Sequence, residues 1–280
     1  MSEQKILLIS GKKQSGKDSA ANYLAGHLLK KYGIIQYFEL DEEGKLLIDI
    51  EVDDPVNGGK VKELGLLDLN RRDMDCVKWF STQIWPLIKI DHFGDTLKDV
   101  VCVVFNLDRE KLWGSDADKN ELTHIKWSDI YKICPQHIPK VKEEDSQTEE
   151  TSKSKKKRVV AQTATEEFLT YRQVLEVFGT DICRTIYSEC WIQSLFKNVV
   201  LQNYPFVVVP DCRNPDEVEY ARAMGAKVVR LTRNPHDSKT NIETALDDYT
   251  DFDFVIDNQN MTQEQKGVEL VKWLQELGWI

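Results

Sequence analysis

The stretch ISGKKQSGKDS, residues 9–19, decides the fold. It has the G-x-x-x-x-G-K spacing of a phosphate-binding loop, with one letter changed: Asp18 stands where that pattern normally carries Ser or Thr. Just upstream, KILLI (residues 5–9) is a continuous apolar run, the signature of a strand buried on both faces. Just downstream, Ala20, Ala21, Leu24, Ala25, Leu28 and Leu29 recur at helical spacing. Strand, glycine-rich loop and helix form the context in which the motif has physical meaning. Gly11 permits a sharp exit from the strand, and the amides from Lys13 to Asp18 form an anion nest at a helix N-terminus. Lys17 then reaches the β- and γ-phosphates of a bound nucleotide. Asp18 admits two readings. A carboxylate in a first helical turn is stabilised by the helix dipole and needs no other task. Beside a triphosphate, however, it is repelled unless a cation stands between, which points to magnesium or its bound waters. Ser19, one place later, offers a hydroxyl to phosphate.

The remainder of the chain alternates strands and helices. FVVVPDCRNPDEVEYARAMGAKVVRL reads as strand (206–209), loop, helix (215–224) and strand (227–231), with Gly225 as the helix stop. FDFVI (252–256) and residues 263–277 repeat the form as strand and closing helix. This order predicts an α/β, three-layer P-loop NTPase fold, with a parallel sheet covered by helices on both faces. It is read as a single domain, 1–280, with two additions. Residues 36–70 alternate around a Glu-Gly turn like a β-hairpin and carry a second turn at Asn57-Gly58-Gly59. Residues 141–166 have an acidic half, a basic half and few large apolar residues, which predicts a mobile surface loop. YRQVLEVFGTDICRTIY (171–187) is an amphipathic helical pattern interrupted at Gly179.

Composition narrows the function classes. An apolar fraction of 41% in 280 residues supplies a full core. A net charge of -10 repels polyanions, so stable nucleic-acid binding is disfavoured and a phosphate ligand must be held by local cations and backbone amides. The basic run KSKKKR (153–158) follows the acidic EEDSQTEE and reads as a solvated loop. Six cysteines without C-x-x-C pairing argue against a zinc site and a disulfide scaffold, and fit reduced thiols in a cytoplasm. The longest apolar run, Val100 to Phe105, is far shorter than the roughly 20 residues that span a bilayer, so no membrane association is expected.

Four segments together resemble the deoxynucleoside monophosphate kinases of bacteriophages, a P-loop branch whose loop ends in Gly-Lys-Asp. They are GKKQSGKDS, DHFGDTLKD, YRQVLEVFGTD with Trp191 following, and VVVPDCRNPDEVEYARAMGAKVVRLTR. The resemblance implies magnesium-dependent transfer of the γ-phosphoryl of ATP to a deoxynucleoside 5'-monophosphate (dNMP), giving dNDP and ADP, in the host cytoplasm if the chain is viral. It places Lys13, Lys17, Gly16, Asp18 and Ser19 on the ATP side beside Gly11. Leu97 and Lys98 match the stretch that meets the monophosphate. Arg172, Gly179, Thr180 and Trp191 match positions lining the substrate cleft. Asp211 and Arg213 fall at the end of a central strand, where open α/β sheets place their ligands. Arg233 opens the polar stretch 233–248, which matches a lid. Phosphoryl transfer is chiefly positioning and charge neutralisation, so Lys17, Arg172 and Arg213 are the expected catalytic cations, with Lys98 and Arg233 in support. Asp211 is the expected carboxylate for magnesium waters or for substrate. Departures are the two insertions, each able to reshape the substrate pocket or form a homodimer contact, and Asn241, which stands near where the lid should carry a histidine. Two other readings remain. Animal phosphomevalonate kinases also carry Gly-Lys-Asp at this loop, and a nucleotide-binding regulator would transfer nothing; the absence of an N-K-x-D guanine-reading motif counts against a switch GTPase.

Overall fold

The computed structural model describes residues 4–53, 58–71, 73–130, 167–235 and 245–280. The expected mobile loop, 141–166, lies outside them, as do residues 236–244 of the expected lid. In chain order the strands and longer helices begin with β1 (Lys5–Gly11), α1 (Lys17–Lys31), β2 (Phe38–Leu40), β3 (Leu46–Asp53), β4 (Lys60–Leu66), α2 (Met74–Gln83), β5 (Lys89–Ile90) and α3 (Asp95–Val104). There follow β6 (Leu122–Lys126), β7 (Phe168–Thr170), α4 (Tyr171–Glu176), which runs into a π-helical stretch Val177–Arg184, and α5 (Cys190–Gln202). β8 (Phe206–Cys212), α6 (Pro215–Ala223), β9 (Lys227–Leu231), β10 (Phe254–Ile256) and α7 (Gln263–Glu276) complete the order.

The main sheet runs β10-β9-β1-β8-β5, with every neighbouring pair parallel. β1 lies at its centre because both its faces are apolar. Leu7 and Ile9 join the core that α1 and α7 cover, whereas Ile6 and Leu8 join the core under α5 and α6. β8 divides its residues the same way, Phe206 and Val208 to one side, Val207 and Val209 to the other. This is the three-layer α/β arrangement expected from the sequence, and it explains why the central strands read as unbroken apolar runs rather than alternating ones. Full burial of Leu7, Leu8 and Ile9 contributes roughly 1.5–3 kcal/mol for each side chain.

The described residues of the 36–70 insertion form a three-stranded antiparallel sheet, β2-β3-β4, one strand more than the inserted β-hairpin expected around the Glu-Gly turn. Its inner face, Leu46 and Ile48, joins the core around α1. The chain divides into two compact units, one comprising the residues up to Phe93 with Ile192–Ile280, the other Gly94–Trp191. The second has its own core of Val101, Leu107, Leu112, Leu169, Tyr171, Val174 and Val177, and its own two-stranded sheet, β6-β7. Among the described residues, no helix is long and apolar enough to cross a membrane.

Candidate active site

Because the sheet is parallel, the C-terminal ends of β1, β5, β8 and β9 share one edge. That edge gathers the loop after β1, Asp91 and His92 after β5, Asp211 to Arg213 at the end of β8, and Arg233 after β9.

The loop is held from several directions. Gln14 and Gly16 both adopt positive φ, 59° and 89°, so the backbone turns back on itself before α1 begins. Gly16 needs to be glycine for this conformation and for a second reason: an added Cβ would run into the Lys266 ammonium. Asn258, only 2% exposed, donates from Nδ2 to the Ser15 carbonyl (2.8 Å) and accepts the Arg233 amide (2.9 Å) on Oδ1. One buried amide thus ties the loop to the ends of β9 and β10. Ser19 is buried, and its hydroxyl donates to the Gly16 carbonyl (3.0 Å).

Lys17 is 7% exposed and folds over the loop, donating from Nζ to the carbonyls of Gly11 and Lys12, each at 2.8 Å. Burial, followed by the charge of Arg213, lowers its pKa to about 8, against the opposing pull of Asp18 and Asp211. Those influences place Lys17, Asp18, Asp211 and Arg213 within one electrostatic neighbourhood. The Asp18 side chain is 77% exposed, and its Oδ1 lies 3.6 Å from His92 Nε2. Desolvation by the surrounding loop pushes its carboxyl up, but His92, then Lys17 and Arg213, outweigh it and hold the pKa below the ordinary value. Asp211 presents both carboxylate oxygens to the amide of Phe93, at 3.2 and 3.1 Å, which fixes its orientation. Buried Glu217 caps the turn that follows, accepting the amides of Arg213 (2.7 Å) and Asn214 (3.0 Å). That turn leaves the Arg213 side chain exposed at the edge. Lys13, within the loop, is also exposed.

A further network flanks the loop. Arg230 on β9 donates to the Ser10 hydroxyl (2.9 Å) and to Asp247 (3.2 Å), and Asp247 also pairs with Lys12 at 2.5 Å. His92, Asn258, Lys266 and this Arg230–Asp247–Lys12 cluster are the edge residues that sequence reasoning missed. Only Lys266 carried a legible signal: it falls on the apolar face of α7 with Gly267, Leu270, Val271 and Leu274, an unusual place for a lysine.

The other expected residues, Leu97, Lys98, Arg172, Gly179, Thr180 and Trp191, all belong to the second unit. There the structure brings three of them together. Gly179 and Thr180 lie in the π-helical stretch, a local widening often found at functional sites. Gly179 packs so closely under Leu97 that an added Cβ would lie 2.6 Å from Leu97 Cδ2. Trp191 is buried, and its indole N–H donates to the Gly179 carbonyl at 3.0 Å. Thr180 is exposed. Arg172 pairs with Asp116 (2.7 Å) and donates to Asn120 Oδ1 (3.2 Å), while Lys98 lies 3.4 Å from Asp95 and over the Trp113 ring.

A parallel sheet whose central strand feeds a glycine-rich loop and then a helix, with a buried lysine and two carboxylates at its C-terminal edge, defines a P-loop kinase-like protein. Residues 88–266 match the family model of deoxynucleotide monophosphate kinases, more than half of the chain, and the chain belongs to that family. It is similar to the deoxynucleotide monophosphate kinase of Enterobacteria phage T4, 32% identical over 98 residues. That similarity covers 33% of this chain and 41% of the phage protein, so the two correspond over less than half of either length. The matched family segment contains Asp91 to Lys98, Arg172 to Trp191, Asp211, Arg213 and Arg233; the phosphate loop precedes it and Lys266 is its last residue.

Proposed function

We propose that the protein transfers the γ-phosphoryl group of ATP to a deoxynucleoside 5'-monophosphate, yielding dNDP and ADP. The observation that carries this reading is the joining of a complete phosphate loop, with Lys17 buried at its base, to a family segment that supplies Asp211 and Arg213 at the same sheet edge.

The residues present fit ATP and magnesium. The loop turns at Gln14 and Gly16 just before α1, whose first amides have no acceptor within the helix, and Lys17 lies in the field of both Asp18 and Asp211. ATP would be held by Gly11, Lys13, Gly16, Lys17 and Ser19, with Arg233 alongside; Asp18 and Asp211 would hold magnesium through water. Among the described residues no three His, Cys, Asp or Glu groups form a metal cage, so the ion would take its other ligands from phosphate and water. When bound, ATP would supply the phosphoryl group and magnesium would offset part of the phosphate charge.

The chain's own contribution is positioning and charge. Lys17, Arg213 and Arg172 offset the negative charge that spreads over the transferred group. Asp211, oriented by the Phe93 amide, is set to direct magnesium waters or the acceptor. An acceptor phosphate oxygen is already ionised near neutral pH, so attack requires no general base; the new P–O bond forms as the β–γ bridge breaks and ADP departs. Leu97, Lys98, Gly179, Thr180 and Trp191 complete the acceptor side of this reading.

The test is ADP release from ATP and magnesium with dTMP, dGMP, dCMP and dAMP offered separately. Turnover with at least one, lost in Lys17→Ala, supports the reading. Absence of turnover with all four overturns it.

A further inference from the structure

We propose that Lys266 is a positioning residue for the phosphate loop: its ammonium, delivered from α7, fixes Gly16 and Ser19 and polarises the peptide that faces the nucleotide. The proposal rests on reading the loop as the ATP site.

Lys266 is 3% exposed, and its three N–H donors are all used, toward the Gly16 carbonyl (2.8 Å), Ser19 Oγ (2.7 Å) and Gln263 Oε1 (3.0 Å). The Gly16 carbonyl is a junction, since it also accepts the Ala20 amide (3.0 Å) that opens α1 and the Ser19 hydroxyl (3.0 Å). Ser19 therefore has its single proton on Gly16 and a lone pair on Lys266, which leaves it no rotational freedom.

The Gly16 carbonyl shares a peptide unit with the Lys17 N–H, the first amide of the helix, for which α1 itself offers no acceptor. A cation on the carbonyl draws electron density across that peptide and makes the N–H a stronger donor to an anion. Lys266 thus acts through the loop without needing to reach phosphate. It also lowers the net negative charge an incoming triphosphate meets, because Asp18 lies within its electrostatic reach.

Stability alone gives no reason to keep a charge here. Burial, then Arg233, lowers the Lys266 pKa to about 8, the mark of an ammonium that the fold accommodates at a cost. An apolar side chain of similar shape would pack with Leu270 and its neighbours more favourably. Its removal also leaves Ser19 and Gly16 hydrogen-bonded to each other and Gly16 bonded to Ala20, so no buried donor is orphaned.

The experiment measures equilibrium binding of magnesium-ATP by calorimetry, and separate KM values for ATP and dNMP, in wild type, Lys266→Met and Lys266→Arg. The proposal expects Lys266→Met to remain folded and to bind ATP on the order of tenfold more weakly, with the dNMP KM within about twofold. Lys266→Arg, which keeps the charge, should recover affinity to within about threefold of wild type. Equal ATP affinity in a folded Lys266→Met overturns the proposal, as does a parallel loss of ATP and dNMP binding. Should the Met variant not fold, Lys266→Gln read in the same assay decides in the same way. Failure of the wild type itself to bind magnesium-ATP would instead sink the functional reading, and this inference with it.

Discussion

Lys17 and Lys266 are buried against the loop of the first unit at 7% and 3% exposure, every ammonium contact made to backbone, to the buried Ser19 hydroxyl or to the half-buried Gln263 amide. Arg172 of the second unit is 38% exposed and pairs with an Asp116 that is 65% exposed. The first arrangement is fixed in advance and expensive; the second is open and cheap. An exposed pair of this kind is worth about 0–1 kcal/mol, so parting Arg172 from Asp116 costs little. Buried ammonium groups cannot rearrange in that way, which would suit the polyphosphate ligand proposed for this loop.

That contrast can be broken most severely at Lys17. In Lys17→Ala, turnover should fall by about 10³-fold or more while the fold persists, checked by steady-state rates beside a thermal melt. Near-normal turnover would remove the loop from the mechanism. Arg172→Ala should cost on the order of 10²-fold in kcat/KM, with a melting temperature within a few degrees of wild type. A large fall in melting temperature would show Arg172 to be a structural element of its unit and reverse the comparison.

The pH dependence sharpens it further. The folded pKa of Lys17, about 8, lies below its ordinary 10.5. Below about pH 8 folded and unfolded chains are equally protonated there, and the cost of burying the charge is fully present. Between 8 and 10.5 the unfolded chain binds more protons, so stability rises with pH across that window. Lys17→Met should therefore be more stable than wild type at pH 7, by on the order of 1–3 kcal/mol, and the gap should narrow by pH 10 in urea titrations. Activity should move the opposite way: kcat/KM for ATP declines as pH rises through about 8, where free Lys17 loses its charge. An unchanged gap from pH 7 to 10 would mean that Lys17 is not a buried cation. The smallest expected effect is at Asp18, where Asp18→Asn should raise the magnesium concentration for half-maximal rate several-fold and leave stability nearly unaltered. Unchanged magnesium dependence would reduce Asp18 to an acidic residue at a helix start.

What was legible in the sequence follows the same division. β1, the loop and α1 could be read directly because each signal is local: KILLI is apolar at every position since both faces of the strand are covered. The strand–helix–strand run from Phe206 to Leu231 was legible for that reason too, with Asn214, Pro215 and Glu217 marking the helix start. The division at Phe93 and Trp191 has no compositional marker, because it depends on which residues pack together across long sequence separations. Widening of the helix into a π-helical stretch at Val177–Arg184 left only the Gly179-Thr180 interruption as its trace. Lys266, some 250 positions from Gly16, and Asn258, joined to Ser15 across a comparable separation, belong to the loop through tertiary contact alone. The apolar face that Lys266 shares with Gly267, Leu270 and Val271 marks it as buried, but no neighbouring letter says which carbonyl it meets, and nothing near Asn258 marks it at all.

The most direct measurement follows the phosphorus atom. With γ-labelled ATP, magnesium and each dNMP in turn, the account predicts label in the β-position of a deoxynucleoside diphosphate, in amounts equal to the ADP formed, and its disappearance in Lys17→Ala. Label appearing only as inorganic phosphate, or diphosphate formation that persists without Lys17, would contradict it.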